Sequence, residues 1–225
     1  MEPDISSAAL IIVDMQNDFL HPDGAFGQRA RRQPERLAGM SLLAATTPMV
    51  KRLLDGFRDA KRPVVHTITT FQPDYADAQL PHWRHGLTSD GRALLLEGSW
   101  GAQIVDELTP RHGEYVVVKK GYGGFANPAL NTILRFRGVT TCAVAGVTTA
   151  ICVSSTVRGG VEYNYRMVLV EDAVAEQSRE MHEAEVKILQ RGFADVTSTS
   201  EVVAGLERLV SARAGENKAA APPAT

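Results

Sequence analysis

Six short apolar runs, separated by stretches with helical spacing, constrain what this chain can fold into. They are residues 8–13, 63–69, 114–118, 141–146, 167–170 and 194–197. Ala8-Ala-Leu-Ile-Ile-Val13 is apolar throughout, the pattern of a strand buried on both faces. Between runs, Val50, Leu53, Leu54 and Phe57 mark one face of a helix starting at Thr47-Pro48. Asn127-Pro128 starts another, with Leu130, Ile133, Leu134 and Phe136 expected to face inward. Further helices are expected from about Ser178 to Gln190 and, capped by Ser200, from Glu201 to about Ser211. The alternation predicts an α/β fold, Rossmann-like and three-layered, with a roughly six-stranded parallel sheet and helices on both faces.

The segments between these elements read as connections. Residues 1–7 are polar and expected to be loose, and 21–45, with Arg29, Arg31 and Arg32, read as a loop or lid with a solvated charged face. Residues 71–101 are aromatic and rich in turn formers, as lids and binding loops are, and a short helix is expected over 102–108. Residues 213–225 are rich in alanine and proline and are expected to be a disordered tail behind a single domain, 1–212.

Composition narrows the function classes. The 225 residues, 44% of them hydrophobic, suffice for one sizeable core. A net charge of −2 without a basic stripe argues against nucleic acid as a partner. No apolar run of about 18 residues and no signal-peptide pattern are present, so no membrane association and a cytoplasmic location are expected. The two cysteines, Cys142 and Cys152, lack zinc spacing and suit a reducing compartment.

Polar groups stand at three strand ends, where parallel α/β sheets hold their ligands: Asp14, Lys119 or Lys120, and Cys152 one turn later. A thiol near a helix start meets unpaired N–H groups and the positive end of the helix dipole, which favour the nucleophilic thiolate. Each residue also has a plainer reading: Asp14 as a turn cap, the lysine as a surface charge, Cys152 as a small core residue. His66, inside the second run, reads as a hydrogen-bonded core histidine before it reads as a ligand. Phe19, Trp100, Tyr122 and Phe125 lie in segments that should meet at the strand ends, and Gln16 could orient a polar group there.

Three motifs in order resemble the isochorismatase-like cysteine hydrolases. They are Asp14-Met-Gln16-Asn-Asp18-Phe19, Lys119-Lys-Gly-Tyr122-Gly-Gly-Phe125 and Gly146-Val147-Thr148-Thr149-Ala-Ile-Cys152-Val153. The resemblance spans roughly residues 8 to 200. It implies a catalytic triad of Asp14, Lys119 and Cys152, with Lys119 preferred over Lys120 because the family lysine lies three residues before the tyrosine. It also implies a cis peptide at Val147-Thr148 and an oxyanion site formed by the N–H groups of Thr148 and Cys152. Metal-holding members carry a carboxylate and histidines where this chain reads Thr69-Thr70-Phe71-Gln72-Pro73, so neither metal nor cofactor is expected. Arg158-Gly159-Gly160 also departs from the family pattern and could serve close helix packing or a wider pocket. The activity implied is metal-independent hydrolysis of a C–N bond in a small amide, carbamoyl or ureido compound, through a thioester. The alternatives are vinyl-ether hydrolysis of the isochorismate type and a non-catalytic binding module. Assembly into dimers or tetramers is also implied.

Overall fold

The computed structural model describes residues 5–79 and 94–219. Its centre is a six-stranded, all-parallel sheet: β1 (Ala8–Val13), β2 (Val64–Thr69), β3 (Tyr115–Lys119), β4 (Thr141–Val147), β5 (Arg166–Ala175) and β6 (Asp195–Thr197). Their order across the sheet is β3-β2-β1-β4-β5-β6. The chain winds outward from β1 to β3 and then returns to place β4 on the other side of β1. The boundary between β1 and β4 is therefore the topological switch point, where such sheets open a crevice beyond their strand ends.

Period-two alternation divides each central strand between two cores. From β1, Ala8, Leu10 and Ile12 pack with Leu53, Leu54 and Phe57 of a helix at Thr47–Asp59, and with Val202 and Leu206 of the last helix, Thr199–Ala219. Ala9, Ile11 and Val13 face the opposite layer, formed by helices Pro128–Phe136, Ser154–Glu162 and Arg179–Gly192. All six β1 residues are buried, as a strand covered on both faces must be.

Several expectations are corrected. Residues 21–45 are largely helical, at Ala25–Arg32 and Leu37–Ala45, and they bring Phe26 and Gly27 into contact with the body. Phe136 is 84% exposed, because Leu130 and Leu134 already fill the inward stripe of its helix. The segment 102–108 holds just one 3₁₀ turn, Asp106–Leu108. The last helix is capped by Ser198 rather than Ser200. Ser198 Oγ accepts from Glu201 N–H (3.3 Å), while the Glu201 carboxylate accepts from Ser198 N–H (2.9 Å), a reciprocal capping box. That helix continues past Ser211 to Ala219. Of the polar first segment, Ile5–Ser7 forms a 3₁₀ turn. Residues 1–4, 220–225 and the middle of the expected binding loop, 80–93, lie outside the described residues.

The fifth strand also runs further than its apolar core. Glu171-Asp172 interrupts the hydrophobic run, but β5 absorbs the pair in an irregularity: Val144 pairs with Leu169, while Gly146 pairs with Val174. Asp172 accepts from Thr199 N–H (2.7 Å) and Thr199 hydroxyl (2.9 Å), tying the irregularity to the last helix. The resumed strand delivers Glu176 and Gln177 to the crevice.

Two glycines allow the close approaches that shape the switch point. Gly146 has φ +119°, and a Cβ there would lie 2.1 Å from Val13 O, so β4 can sit against β1 at this register just because no side chain intervenes. Gly146→Ala is expected to lose about 3 kcal/mol of stability. Urea denaturation checks this, and an unchanged midpoint would contradict it. At Gly160 a Cβ would fall 2.3 Å from Met167 Sδ and 3.2 Å from Phe125 Cε2. The Gly159-Gly160 pair therefore serves close helix packing, on the side of the sheet away from the pocket described below.

Candidate active site

Three strand ends converge at the switch point. Asp14 follows β1 in a left-handed conformation, φ 51°, uncommon for a residue with a Cβ though tolerated by aspartate. Its N–H donates to Thr67 O (2.9 Å) and its carbonyl accepts from Gln16 N–H (2.8 Å). Lys119, at the end of β3, reaches across the end of β2. Its Nζ donates to Asp14 Oδ2 (2.7 Å), Thr69 Oγ1 (2.6 Å) and Gly121 O (3.1 Å), and lies 3.7 Å from Cys152 Sγ. Both charged side chains are fully buried. Lys120 points its charge elsewhere, to Thr70 O (2.7 Å) and Asp77 (2.7 Å).

Cys152 lies in a π-helical turn, Thr149–Val153, that precedes the helix beginning at Ser154. Single π turns of this kind recur at functional sites. Several amides around the cysteine are already engaged: Ile151 N–H and Val153 N–H both donate to Thr148 O (3.2 and 3.1 Å). The Val147-Thr148 peptide is cis. Thr148 N–H donates to no group among the described residues, and Thr148 lines the pocket.

Burial sets the electrostatics. It pushes the Asp14 carboxyl above its ordinary value, against the charge and hydrogen bond of Lys119 and the bonds from Cys152 and Thr69. On Lys119 burial acts downward, but the charges of Asp14 and Cys152 outweigh it and hold the ammonium above its ordinary value. Burial, then the Asp14 charge, push the Cys152 thiol up, and the pull of Lys119 is too weak to reverse them. Burial and the Asp14 carboxylate thus work against the Cys152 thiolate, and Lys119 works for it. Desolvation and a neighbouring carboxylate oppose the influence expected from the helix start. The three groups titrate as a coupled unit.

Cys152 opens on a cavity of about 100 Å³. Aromatic and aliphatic side chains dominate its wall: Phe19, Phe26, Phe71, Leu95, Tyr122 and Ile151. Thr69, Thr148, Glu176 and Gln177 contribute the polar edge. Of the pocket residues expected from the sequence, Phe19 and Tyr122 line this cavity, and three do not. Gln16 is buried with its amide spent on backbone: Nε2 donates to Thr69 O and Ala102 O (both 2.8 Å), and Oε1 accepts from Thr69 N–H (2.9 Å). Trp100 is 46% exposed and packs edge-on against His21. Phe125 is buried in the opposite core, beside Tyr163 and Tyr165.

Other residues went unseen in the sequence. Thr69 ends β2 and joins the polar centre, a place that strand-end logic could have flagged. Phe26 sits in a segment whose basic residues masked its helix, and Glu176 lies beyond the apparent end of the fifth strand. His66 is a core histidine: Nε2 lies 3.4 Å from Glu114 Oε2, and burial holds the imidazole below its ordinary value. Where metal-holding members place ligands, Thr69 is bonded to Lys119 and Phe71 walls the cavity.

A buried Asp14–Lys119 pair thus stands beside Cys152 at the switch point of a parallel α/β sheet. The chain belongs to the isochorismatase family, whose Isochorismatase domain matches residues 8–201. It is 34% identical over 182 residues to a ureidoacrylate amidohydrolase, RutB, of Yersinia enterocolitica, covering 75% of each protein. The RutB of Methylorubrum extorquens is 31% identical over 203 residues, 84% of this chain and 75% of that protein. Among solved structures, a cysteine hydrolase from Pseudomonas syringae superposes with a TM-score of 0.79 at 24% identity, over 93% of this chain and 96% of that one. N-carbamoylsarcosine amidase from Thermoplasma acidophilum is similar at a TM-score of 0.68 and 30% identity, covering 86% and 96%.

Proposed function

We propose that the protein is a cysteine amidohydrolase that cleaves a C–N bond of a small carbamoyl, ureido or amide compound without a metal. The observation that carries this reading is Cys152 lining the cavity, its Sγ 3.7 Å from the Nζ of a lysine that is itself bonded to Asp14. The amidohydrolase relatives support the reaction class.

The chemistry follows from the arrangement. As substrate docks, Asp14 takes the proton of Cys152 and Sγ attacks the carbonyl carbon. The thiol's raised pKa couples attack to proton transfer, so that no free thiolate need accumulate. The oxygen's developing charge meets the N–H groups of Thr148 and Cys152. Protonated Asp14 gives its proton to the leaving nitrogen, the C–N bond breaks and a thioester remains. Asp14 then deprotonates water, which attacks the thioester; the thiolate leaves and regains its proton. Lys119 keeps Asp14 positioned and balances the negative charge that passes between Asp14 and Sγ.

Two further expectations belong to the same reading. Val116 and Val118 on edge strand β3 are exposed, which suits assembly into dimers or tetramers, testable by light scattering. Both cysteines are free, and a cytoplasmic location is proposed together with the activity. Among the described residues no helix is long and apolar enough to cross a membrane.

The test is ammonia release from chelator-treated protein across a panel of primary amides, carbamoyl compounds and ureides, with Cys152→Ala beside it. Release by the wild type alone is expected. Activity that vanishes on chelation would overturn the metal-free reading. A panel without turnover would overturn the amidohydrolase reading.

A further inference from the structure

The cavity holds a carboxylate that the reaction does not use. Glu176 follows β5, is 6% exposed and lines the same pocket as Cys152. Its Oε2 accepts from Ala150 N–H (3.1 Å) and its Oε1 from Gln177 N–H (2.9 Å). Both partners are neutral backbone groups. No cation pairs with Glu176 among the described residues, and none of the described residues lining the pocket is a lysine or arginine. Lys119, the nearby buried cation, is engaged with Asp14. Arg29 and Arg36 line a separate recess on the far side of Phe26 and Gln177. The described wall is therefore aromatic and aliphatic with one fixed negative charge, and each carboxylate oxygen keeps a lone pair for a further donor.

We propose that Glu176 is a specificity-determining residue. It selects substrates whose end remote from the scissile carbonyl is an N–H donor, neutral or cationic, and rejects those ending in a carboxylate. Resting on the reading of Cys152 as nucleophile, this narrows the substrate class to carbamoyl or amide compounds with an uncharged or ammonium end. It sets the chain apart from enzymes for carboxylate-bearing compounds such as ureidoacrylate and N-carbamoylsarcosine. The physical basis is charge in a small apolar cavity: an anionic ligand loses its water and meets a second anion that no cation among the described residues pairs with. The same carboxylate also clamps Ala150, in the turn that carries Cys152, so the test must separate a field from a brace.

Alkylation of Cys152 by iodoacetamide, which is neutral, and by iodoacetate, an anion of nearly equal size, makes that separation without any turnover. The readout is the ratio of the two rates at Cys152, followed by peptide mass spectrometry and divided by the same ratio for glutathione. In the wild type the corrected ratio is expected to favour iodoacetamide by about tenfold or more, and to fall on the order of fivefold in Glu176→Gln. Glu176→Asp keeps the charge and should keep most of the preference. A change in thiol acidity or in the brace moves both rates together and leaves the ratio alone. A wild-type ratio equal to that of glutathione, or one unchanged in Glu176→Gln, would overturn the proposal. So would failure of both reagents to label Cys152 even at a pH high enough to ionise its thiol, since the cavity would then admit no small ligand. Because labelling needs no hydrolysis, these outcomes stand apart from failure of the ammonia assay.

Discussion

Asp14→Asn is expected to lower the rate of hydrolysis about a thousandfold, within the range that a positioned acid–base group supplies. The asparagine keeps the shape of the side chain but can neither take the Cys152 proton nor return it to the leaving nitrogen. The fold should suffer as well. Lys119 would remain fully buried without its counter-charge, and breaking a buried pair by removing one partner costs about 3 kcal/mol or more. Burial already acts to lower the lysine's pKa, and the Asp14 charge is the first influence opposing it. In the variant that opposition is weakened, so the lysine's pKa is expected to fall. Kinetics and urea denaturation on the same preparation check both halves. Near wild-type turnover in Asp14→Asn would remove Asp14 from the mechanism.

The second large effect belongs to Lys119→Met, and its sign depends on pH. Without the ammonium, nothing cationic opposes the burial that raises Asp14, so its folded pKa climbs further above the unfolded value. For a group raised on folding, the stability it contributes is complete below the unfolded pKa and is lost as pH rises through the folded one. The variant's deficit relative to wild type should therefore be smallest at acid pH and grow as the pH rises, as Asp14 is forced to ionise unpaired. Activity should fall at least about a hundredfold, and the acid limb of kcat/KM should move to higher pH. Denaturation midpoints at several pH values read the first effect. A deficit independent of pH would mean that Lys119 does not govern the charge of Asp14.

The sequence makes the scaffold readable because its strands alternate or saturate in ways that few other folds permit. Ala8–Val13 is apolar at every position because β1 is covered on both faces, and Val50, Leu53, Leu54 and Phe57 lie along one helix stripe for the complementary reason. The polar centre was legible for a topological reason: residues at the ends of parallel strands share one edge. What escaped was set by tertiary contacts. Glu171-Asp172 looks like the end of a strand, but the irregularity turns the pair outward and β5 resumes, bringing Glu176 to the pocket. Gln16 and Phe125 stand in motif positions yet serve packing, since one amide fills a backbone gap and one ring fills the opposite core. The electrostatics of Cys152 depend on its burial and on the charges of Asp14 and Lys119, which no local pattern encodes.

Trapping the covalent intermediate tests the central claim most directly. Protein mixed with a substrate found in the ammonia panel, quenched in acid within milliseconds and digested, should yield a Cys152 peptide heavier by the acyl or carbamoyl group. That adduct should vanish on treatment with hydroxylamine and be absent from Cys152→Ala. Turnover with no modified Cys152 at any quench time, or with full activity retained in Cys152→Ala, would contradict a thioester route and the role given to this thiol.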